Sequence, residues 1–215
     1  MQHKMTYPEF LFIFIIGSMA GFLLEGIWCV IRTGMWENHS ATLYGPFCII
    51  YGIGAAALYV ISGGLMDLPL WEQFLLYALT GALTEYAGSY LQEILFGSVS
   101  WDYSNRFLNI HGRICFSMTM IWGVLGLLFA RFCSPAANRF FAVAEDWPIR
   151  GICIVISVLM ASDLIISAGA LFRWYERIED IPARNQIEEH FDKRFDNEHM
   201  EKIYNNLVFT DQIHK

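Results

Sequence analysis

Residues 8–31 read PEFLFIFIIGSMAGFLLEGIWCVI, an apolar stretch with one ionisable side chain in its interior, Glu25. An α-helix of about 20 apolar residues crosses a hydrocarbon core of about 30 Å. The stretch exceeds the apolar core of a cleaved signal peptide, and its carboxylate is atypical of one. The sequence therefore predicts a retained membrane-spanning helix.

Four further apolar runs of similar length follow, at residues 43–66, 70–96, 114–132 and 149–171. Gly45-Pro46 and Leu68-Pro69 provide turn and helix-start signals near their boundaries. Residues 1–171 are therefore predicted to form an all-α integral membrane protein, a bundle of five transmembrane helices.

The distribution of charge supports this fold class. The chain has 215 residues, with 14 basic and 21 acidic side chains and a net charge of −7. Residues 172–215 hold 17 of these charges, so the preceding 171 residues carry only 18. A soluble domain carries about a quarter charged residues, so the first part cannot be solvated on all sides. Five separated cysteines and the lack of a basic stripe exclude a disulfide scaffold and a nucleic-acid binder.

Residues 172–215 form a polar tail with two open interpretations. It is either solvated or in part a surface helix, because Ile187, Phe191, Phe195 and Tyr204 recur at near-helical spacing. With five spans, the first and third loops share a side with the tail. That side has six basic residues near the membrane, and the opposite side has four. Because cytoplasmic segments are enriched in Lys and Arg, this excess predicts a cytoplasmic tail and an outside N-terminus. The two groups are Arg32, Arg106, Arg113, Arg173, Arg177 and Arg184, against Lys4, Arg131, Arg139 and Arg150.

Three carboxylates lie within the predicted spans: Glu25, Glu85 and Asp163. An ionisable residue near the bilayer centre costs on the order of 2.5–3.5 kcal/mol on insertion scales, so each requires an explanation. All three are displaced toward the C-terminal ends of odd-numbered helices, which run in the same direction. They are therefore predicted to lie toward one face of the bundle. Structural pairing of individual acids is the alternative, but as a set they favour a functional lining.

The third predicted helix extends this polar face. Glu85, Ser89, Gln92 and Glu93 fall at i, i+4, i+7 and i+8, so they share one helical stripe. The stripe leads from the predicted membrane interior toward the third loop.

The third loop, residues 97–113, reads GSVSWDYSNRFLNIHGR and is dense in hydrogen-bonding groups. Arg113 opens the fourth helix and is predicted to pair with Glu85 or Glu93, or to hold an anion. Asp102 and His111 are further candidates at this face. His111 and His39 could join carboxylates as metal ligands, but no HxxxH or HxxE spacing occurs on a helix, so no metal and no cofactor are predicted.

Several motifs occur in a characteristic order. They are YGPFCIIYG at 44–52, Glu85-Tyr86, QEILF at 92–96, WDYS at 101–104, NIHGRIC at 109–115 and Trp122-Gly123. From the first helix to about Pro135 the chain thereby resembles the bacterial family labelled "putative ABC-transporter permease", small multi-pass membrane proteins. The resemblance implies a permease-like protein of the bacterial cell membrane. Because the chain has no GxxxxGK[ST] phosphate-binding loop, an ATPase would be a separate partner chain.

Three function classes follow. The favoured one is a transport subunit embedded in the lipid bilayer, in which Glu25, Glu85 and Asp163 line a cation, proton or solute path. The second is an intramembrane enzyme that acts on a lipid-linked or phosphorylated substrate, with Arg113 holding the anion. No nucleophile motif supports the enzyme. The third is a non-transporting organiser or sensor whose acids pair internally. A homo-oligomer is an expected assembly, and nucleic acid is not an expected partner.

Overall fold

The computed structural model describes residues 5–144 and 149–210. Lys4, counted above for orientation, lies outside the described residues. The described chain is almost entirely helical. Its helices are α1 (Tyr7–Thr33), α2 (Ile49–Leu65), α3 (Leu70–Phe96), α4 (Phe116–Leu128), a π-helical turn (Phe129–Cys133), α5 (Ser134–Ala144), α6 (Ile149–Ile178), α7 (Gln186–Arg194) and α8 (Asn197–Ile203). Two short strands, β1 (Ser98–Val99) and β2 (Val208–Phe209), pair antiparallel.

The ends of α1 follow from local sequence. Thr6 and Glu9 form a capping box at its N-terminus, where Pro8 fits because the first helical N–H groups have no partner within the helix. At the other end Gly34 adopts φ 77°, and its N–H donates to the carbonyl of Val30. Glycine reaches this left-handed conformation without a Cβ clash, which stops the helix at the first loop.

Three helical stretches of the described chain are long and apolar enough to cross a membrane. They are Tyr7–Thr33, Phe116–Val143 and Arg150–Ile178. The apolar helix α2 has 17 residues, and α3 has 27 but carries the polar stripe. The predicted run 114–132 is part of a longer helical stretch, because the π-helical turn joins α4 to α5 without a break. Apolar side chains such as Ile31 and Ile165 remain exposed, as lipid-facing residues do. The protein is membrane-embedded.

Glycines let the first four helices approach closely. Gly21 of α1 lies against the Tyr51 ring of α2, and a Cβ at position 21 would overlap that ring. Trp122 of α4 fills a groove whose walls include Gly54 of α2 and Gly81 of α3, and a Cβ on either would collide with the indole. Small residues at such contacts allow the backbones of membrane helices to pack.

The tail folds back onto the end of α6. Trp174 packs there in a buried cluster with Phe195, Met200, Tyr204 and Phe209. The strand β2 then pairs with β1, which directly follows α3, in the register Ser98↔Phe209. Ion pairs between α6 and α7 complete the attachment. The tail is thus a packed part of this end of the bundle.

Candidate functional site

A cavity of about 390 Å³ lies between α1, α2, α3, α4, α6 and the tail. Most of its wall is apolar, and its polar residues converge from several elements. These are Glu25, His39, Ser40, Tyr51, Glu85, Gln92, Ser100, Trp101, Tyr103, Trp122, Ser167, Tyr204 and Asn206. Two of the three predicted intramembrane acids, Glu25 and Glu85, therefore line the same cavity.

Glu85 is the more deeply buried of these two acids, with 5% of its surface exposed. One carboxylate oxygen accepts a hydrogen bond from the Tyr103 hydroxyl at 3.0 Å. The other accepts one from the Trp122 indole N–H at 3.1 Å. Both donors are neutral, so the cost of burying this carboxylate is offset by hydrogen bonds rather than by an opposite charge.

Glu25, which is half-buried on α1, also has a neutral hydrogen-bond donor. It accepts a hydrogen bond of 2.6 Å from the Tyr51 hydroxyl of α2. The Tyr51 ring lies against the Trp122 ring, with centroids 5.5 Å apart. The two acids are therefore connected through the packed pair Tyr51 and Trp122.

Asp163 lies beside this cavity rather than in its wall. Its carboxylate accepts from the Ser167 hydroxyl at 3.1 Å and from the Tyr44 backbone N–H at 3.2 Å. Ser167 lines the cavity and in turn accepts from the Leu43 N–H at 2.9 Å. The contacts of Asp163 attach the first loop to α6.

The residues of the polar stripe on α3 have different partners. Ser89 is buried near Glu85, and Gln92 exchanges hydrogen bonds with Ser100 of the third loop. Glu93 forms an ion pair with Arg113. Arg113 therefore pairs with Glu93 rather than with Glu85, because Glu93 lies two helical turns nearer the loop and Glu85 already has two donors.

Arg113 is further held by the faces of two tyrosines. Its guanidinium lies 5.6 Å from the Tyr86 ring centroid and 5.3 Å from that of Tyr90. Such stacking suits the planar guanidinium group. Arg113 is thus part of a local structural cluster on α3.

The third loop places Tyr103 in the cavity. The N–H of Tyr103 donates to the Gly112 carbonyl at 2.7 Å, and Gly112 adopts φ 68°, where a Cβ would overlap Asp102. Asp102 accepts from the Ser104 N–H at 2.9 Å. Burial, and then the nearby Glu85 carboxylate, raise the pKa of Tyr103, so its hydroxyl remains a donor.

His111 also serves the loop rather than the cavity. It adopts φ 53°, and its Nδ1 lies 2.9 Å from the Tyr86 hydroxyl. Asp102 and His111, both candidates from the sequence, therefore shape the loop that carries Tyr103.

Residue patterns alone missed two groups. The first is the set of neutral donors, Tyr51, Tyr103 and Trp122, although each stands in a motif of the resemblance. The second is the grouping of His39, a candidate metal ligand from the sequence, with Cys29 and Glu37, whose ligand atoms lie within 4.8 Å of one another. The sequence signal for this cluster is a cysteine one turn before the end of a helix, followed by Glu-x-His in the next loop.

Comparison with known proteins adds one finding. No curated protein and no solved structure matches the chain. The model of the family described as "Putative ABC-transporter type IV" matches residues 12–168, which include the cavity-lining parts of α1 to α4 and Asp163. The expected resemblance is therefore confirmed: the chain belongs to the "Putative ABC-transporter type IV" family of transport-related membrane proteins.

Proposed function

We propose that the protein is a permease-like transport subunit whose solute path passes through the cavity between Glu25 and Glu85. The observation that carries this proposal is the position of both carboxylates in the wall of one cavity. A volume of about 390 Å³ also falls within the usual range of ligand pockets, about 300–1,000 Å³. Family membership supports transport as the general activity.

The chemistry of the wall favours a cationic solute or a proton. Among the described residues, the wall includes two carboxylates but neither Lys nor Arg. The hydrogen bonds to Glu25 and Glu85 come from neutral hydroxyl and indole groups. A bound cation or proton would therefore supply the missing positive charge. The apolar remainder, including Ile50 and Leu91, would suit an apolar body attached to a cationic head.

Contacts among the loops favour five membrane crossings. The Tyr204 hydroxyl of the tail donates to the Ala41 carbonyl of the first loop at 3.5 Å, and β2 of the tail pairs with β1 after α3. The first loop, the third loop and the tail thus meet at one end of the bundle. Segments on one side of a membrane are separated by an even number of crossings. Two helices, α2 and α3, separate the first loop from β1, and both would therefore cross the membrane. The stretch 116–143 and α6 likewise separate the third loop from the tail and would both cross. With α1, the total is five crossings.

The excess of basic residues on the side of the tail favours a cytoplasmic tail and an outside N-terminus in the bacterial cell membrane. A separate ATPase chain would supply energy, because this chain lacks a phosphate-binding loop. Copurification from native membranes, followed by an ATPase assay, tests for that partner. A homo-oligomer is proposed as the assembled form.

The decisive variant is Glu85→Gln. The amide oxygen can still accept from Trp122 and the amide N–H₂ can donate to the Tyr103 hydroxyl, so the fold is expected to remain. The negative charge is lost, so we expect membrane abundance to be normal but flux to fall at least about tenfold. The measurement is uptake of protons and small organic cations into proteoliposomes that contain the protein together with its copurified ATPase partner and ATP, with the parent protein measured in the same way.

Two matched variants accompany Glu85→Gln. Asp67→Asn removes a carboxylate from the exposed loop between α2 and α3, and should leave flux unchanged. Glu93→Gln removes the partner of Arg113 outside the cavity and should reduce flux less than Glu85→Gln does. Normal flux in a well-folded Glu85→Gln protein would overturn the proposal.

A non-transporting organiser is the second candidate, and one observation favours it. Glu25, Glu85, Glu93 and Asp163 each have an internal partner. If these contacts serve stability alone, Glu85→Gln should lower abundance and thermal stability together, with no flux in the parent protein. The enzyme hypothesis has less support, because Arg113, its proposed anion holder, is paired with Glu93.

A further inference from the structure

A second cluster, made of metal-ligating types of side chain, lies at the edge of the cavity, where the first loop turns back toward α1. The Cys29 Sγ is 3.3 Å from a Glu37 carboxylate oxygen and 3.2 Å from the His39 Nε2. The His39 Nε2 is 3.6 Å from the same Glu37 oxygen. A sulfur, a nitrogen and an oxygen therefore form one small triangle.

The triangle has nearly the dimensions of one face of a tetrahedral zinc site. With Zn–S about 2.3 Å and Zn–N and Zn–O about 2.0–2.2 Å, tetrahedral ligands lie about 3.4–3.6 Å apart. The three observed separations agree with this range to within about 0.4 Å. We propose that Cys29, Glu37 and His39 bind a Zn²⁺-class transition-metal ion.

The ligand types select among metals. A thiolate and an imidazole favour zinc and its neighbours over Mg²⁺ and Ca²⁺, which prefer oxygen ligands. Cys29 is 2% exposed, so its thiolate would be shielded from competing thiols and oxidants. Binding would release the thiol proton, leaving a metal–thiolate bond.

The coordination would be open. Three protein ligands leave the fourth tetrahedral position to water or a passing ligand, as in exchangeable and catalytic sites rather than closed structural ones. His39 itself lines the cavity, so this position is on the same side as the proposed solute path. The metal proposal does not depend on transport, since it rests on the ligand geometry alone.

A second contact orients the histidine. Its Nδ1 lies 3.3 Å from the Asn206 side-chain amide, which comes from the tail. The nearer amide atom is the nitrogen Nδ2; a 180° rotation of the amide brings its oxygen to Nδ1, where it accepts from the ring N–H, so that Nε2 keeps its lone pair for a metal. Metal binding would thereby connect α1, the first loop and the tail.

The test uses the full-length protein, purified in detergent and freed of metal with a chelator. Zn²⁺ is titrated against a chelating dye, and Co²⁺ serves as the spectroscopic probe. We expect saturable Zn²⁺ binding and a Co²⁺–thiolate charge-transfer band. Cys29→Ser and His39→Gln should each weaken Zn²⁺ binding at least about tenfold, and Cys29→Ser should abolish the band. Asn206→Ala should weaken binding by about 10–100-fold with the direct ligands intact.

Matched controls separate this site from other thiols and imidazoles. Cys133→Ser removes an exposed cysteine and His111→Gln removes the histidine of the third loop, and both should bind as the parent does. Thermal unfolding of the metal-free proteins shows whether each variant is folded. If Cys29→Ser or His39→Gln is not folded, the Zn²⁺ affinity of Asn206→Ala provides the test. The proposal is overturned if the parent does not bind Zn²⁺, if Cys29→Ser and Asn206→Ala bind like the parent, or if the Co²⁺ complex lacks the thiolate band.

Discussion

At the scale of single residues, Glu85 shows how a carboxylate is accommodated within an apolar bundle. Its hydrogen bonds come from Tyr103 in a loop and Trp122 on a neighbouring helix, which bind its two different oxygens. Trp122 stands in the middle of its predicted helix, whereas tryptophans of membrane proteins are concentrated near the interfaces. Its role as a donor to Glu85 gives a physical reason for this position.

Trp122→Phe tests that role. The substitution keeps an aromatic ring beside Tyr51 but removes the indole donor, so one Glu85 oxygen loses its partner. We expect the free energy of unfolding to fall by about 1–3 kcal/mol, the cost of an unsatisfied buried polar group. Thermal unfolding in detergent measures it. Trp71→Phe, at a site 64% exposed, is the control and should change little. Equal stability of the two variants would show that the indole hydrogen bond is unimportant.

At the scale of elements, close packing of α4 against α2 and α3 depends on glycine. Gly81 makes room for the Trp122 side chain, and Gly126 of α4 similarly makes room for Tyr77 of α3. Without these contacts the indole could not reach Glu85. Gly63 of α2 differs, because a Cβ there would meet nothing within 4 Å.

Gly81→Ala and Gly63→Ala therefore form a matched pair. The added methyl at position 81 overlaps the Trp122 side chain, and overpacking of this kind costs about 1–3 kcal/mol. The same change at position 63 should be neutral or stabilising, because alanine is the better helix former. Thermal unfolding and tryptophan fluorescence of the two variants provide the comparison. A stable Gly81→Ala protein with unchanged fluorescence would contradict the packing argument.

The docking of the tail is a second feature at the scale of elements. Asp192 of α7 accepts from Arg173 at 3.1 and 2.8 Å and from Arg177 at 2.6 Å. Hydrogen bonds from Arg173 in particular hold the pKa of Asp192 below its ordinary value of 3.8. A lowered pKa in the folded state means that the ionised form stabilises docking at higher pH.

Acid should therefore loosen the tail. The contribution of Asp192 is complete above about pH 4 and is lost as the pH falls through its lowered native pKa. We expect the unfolding temperature to drop over that range, and Asp192→Asn to be less stable at neutral pH with a smaller further drop in acid. Glu201→Gln, an exposed position on α8, should follow the parent. Identical pH profiles for Asp192→Asn and the parent would exclude this linkage.

At the scale of the whole molecule, the tail and the loops form one cap over the cavity. Tyr204 and Asn206 line the cavity, and the β1–β2 pair connects the tail to the end of α3. This cap requires the first loop, the third loop and the tail to lie on the same side of the membrane. It leaves the loop between α2 and α3 at the opposite end.

Cysteine labelling tests that arrangement. In a background without the native cysteines, Ser104→Cys should resist an impermeant maleimide in intact cells and react in inverted vesicles. Asp67→Cys should show the reverse pattern, because α3 separates the two positions. Both residues are exposed. Labelling of Ser104→Cys in intact cells would show that the protein has the opposite orientation. Identical labelling of the two sites would contradict a crossing by α3.

Much of this protein is determined by its sequence alone. Long apolar runs with few charges predict membrane helices, because burying backbone groups in lipid requires helical hydrogen bonds. The all-helical body and the family were predicted correctly from these runs and from the motifs. Five crossings and the orientation stay predictions, since α2 is short and α3 carries the polar stripe.

Only the tertiary structure decided how the polar residues are partnered. Helical periodicity placed Glu85 and Glu93 on one stripe, but it could not show that Arg113 binds Glu93 while Glu85 takes donors from Tyr103 and Trp122. Nor could it bring Cys29, which precedes the first loop, against His39 within that loop. Periodicity describes neighbours within one helix, whereas these contacts join different segments. Their formation depends on how the loops fold back and on where glycine lets the helices approach.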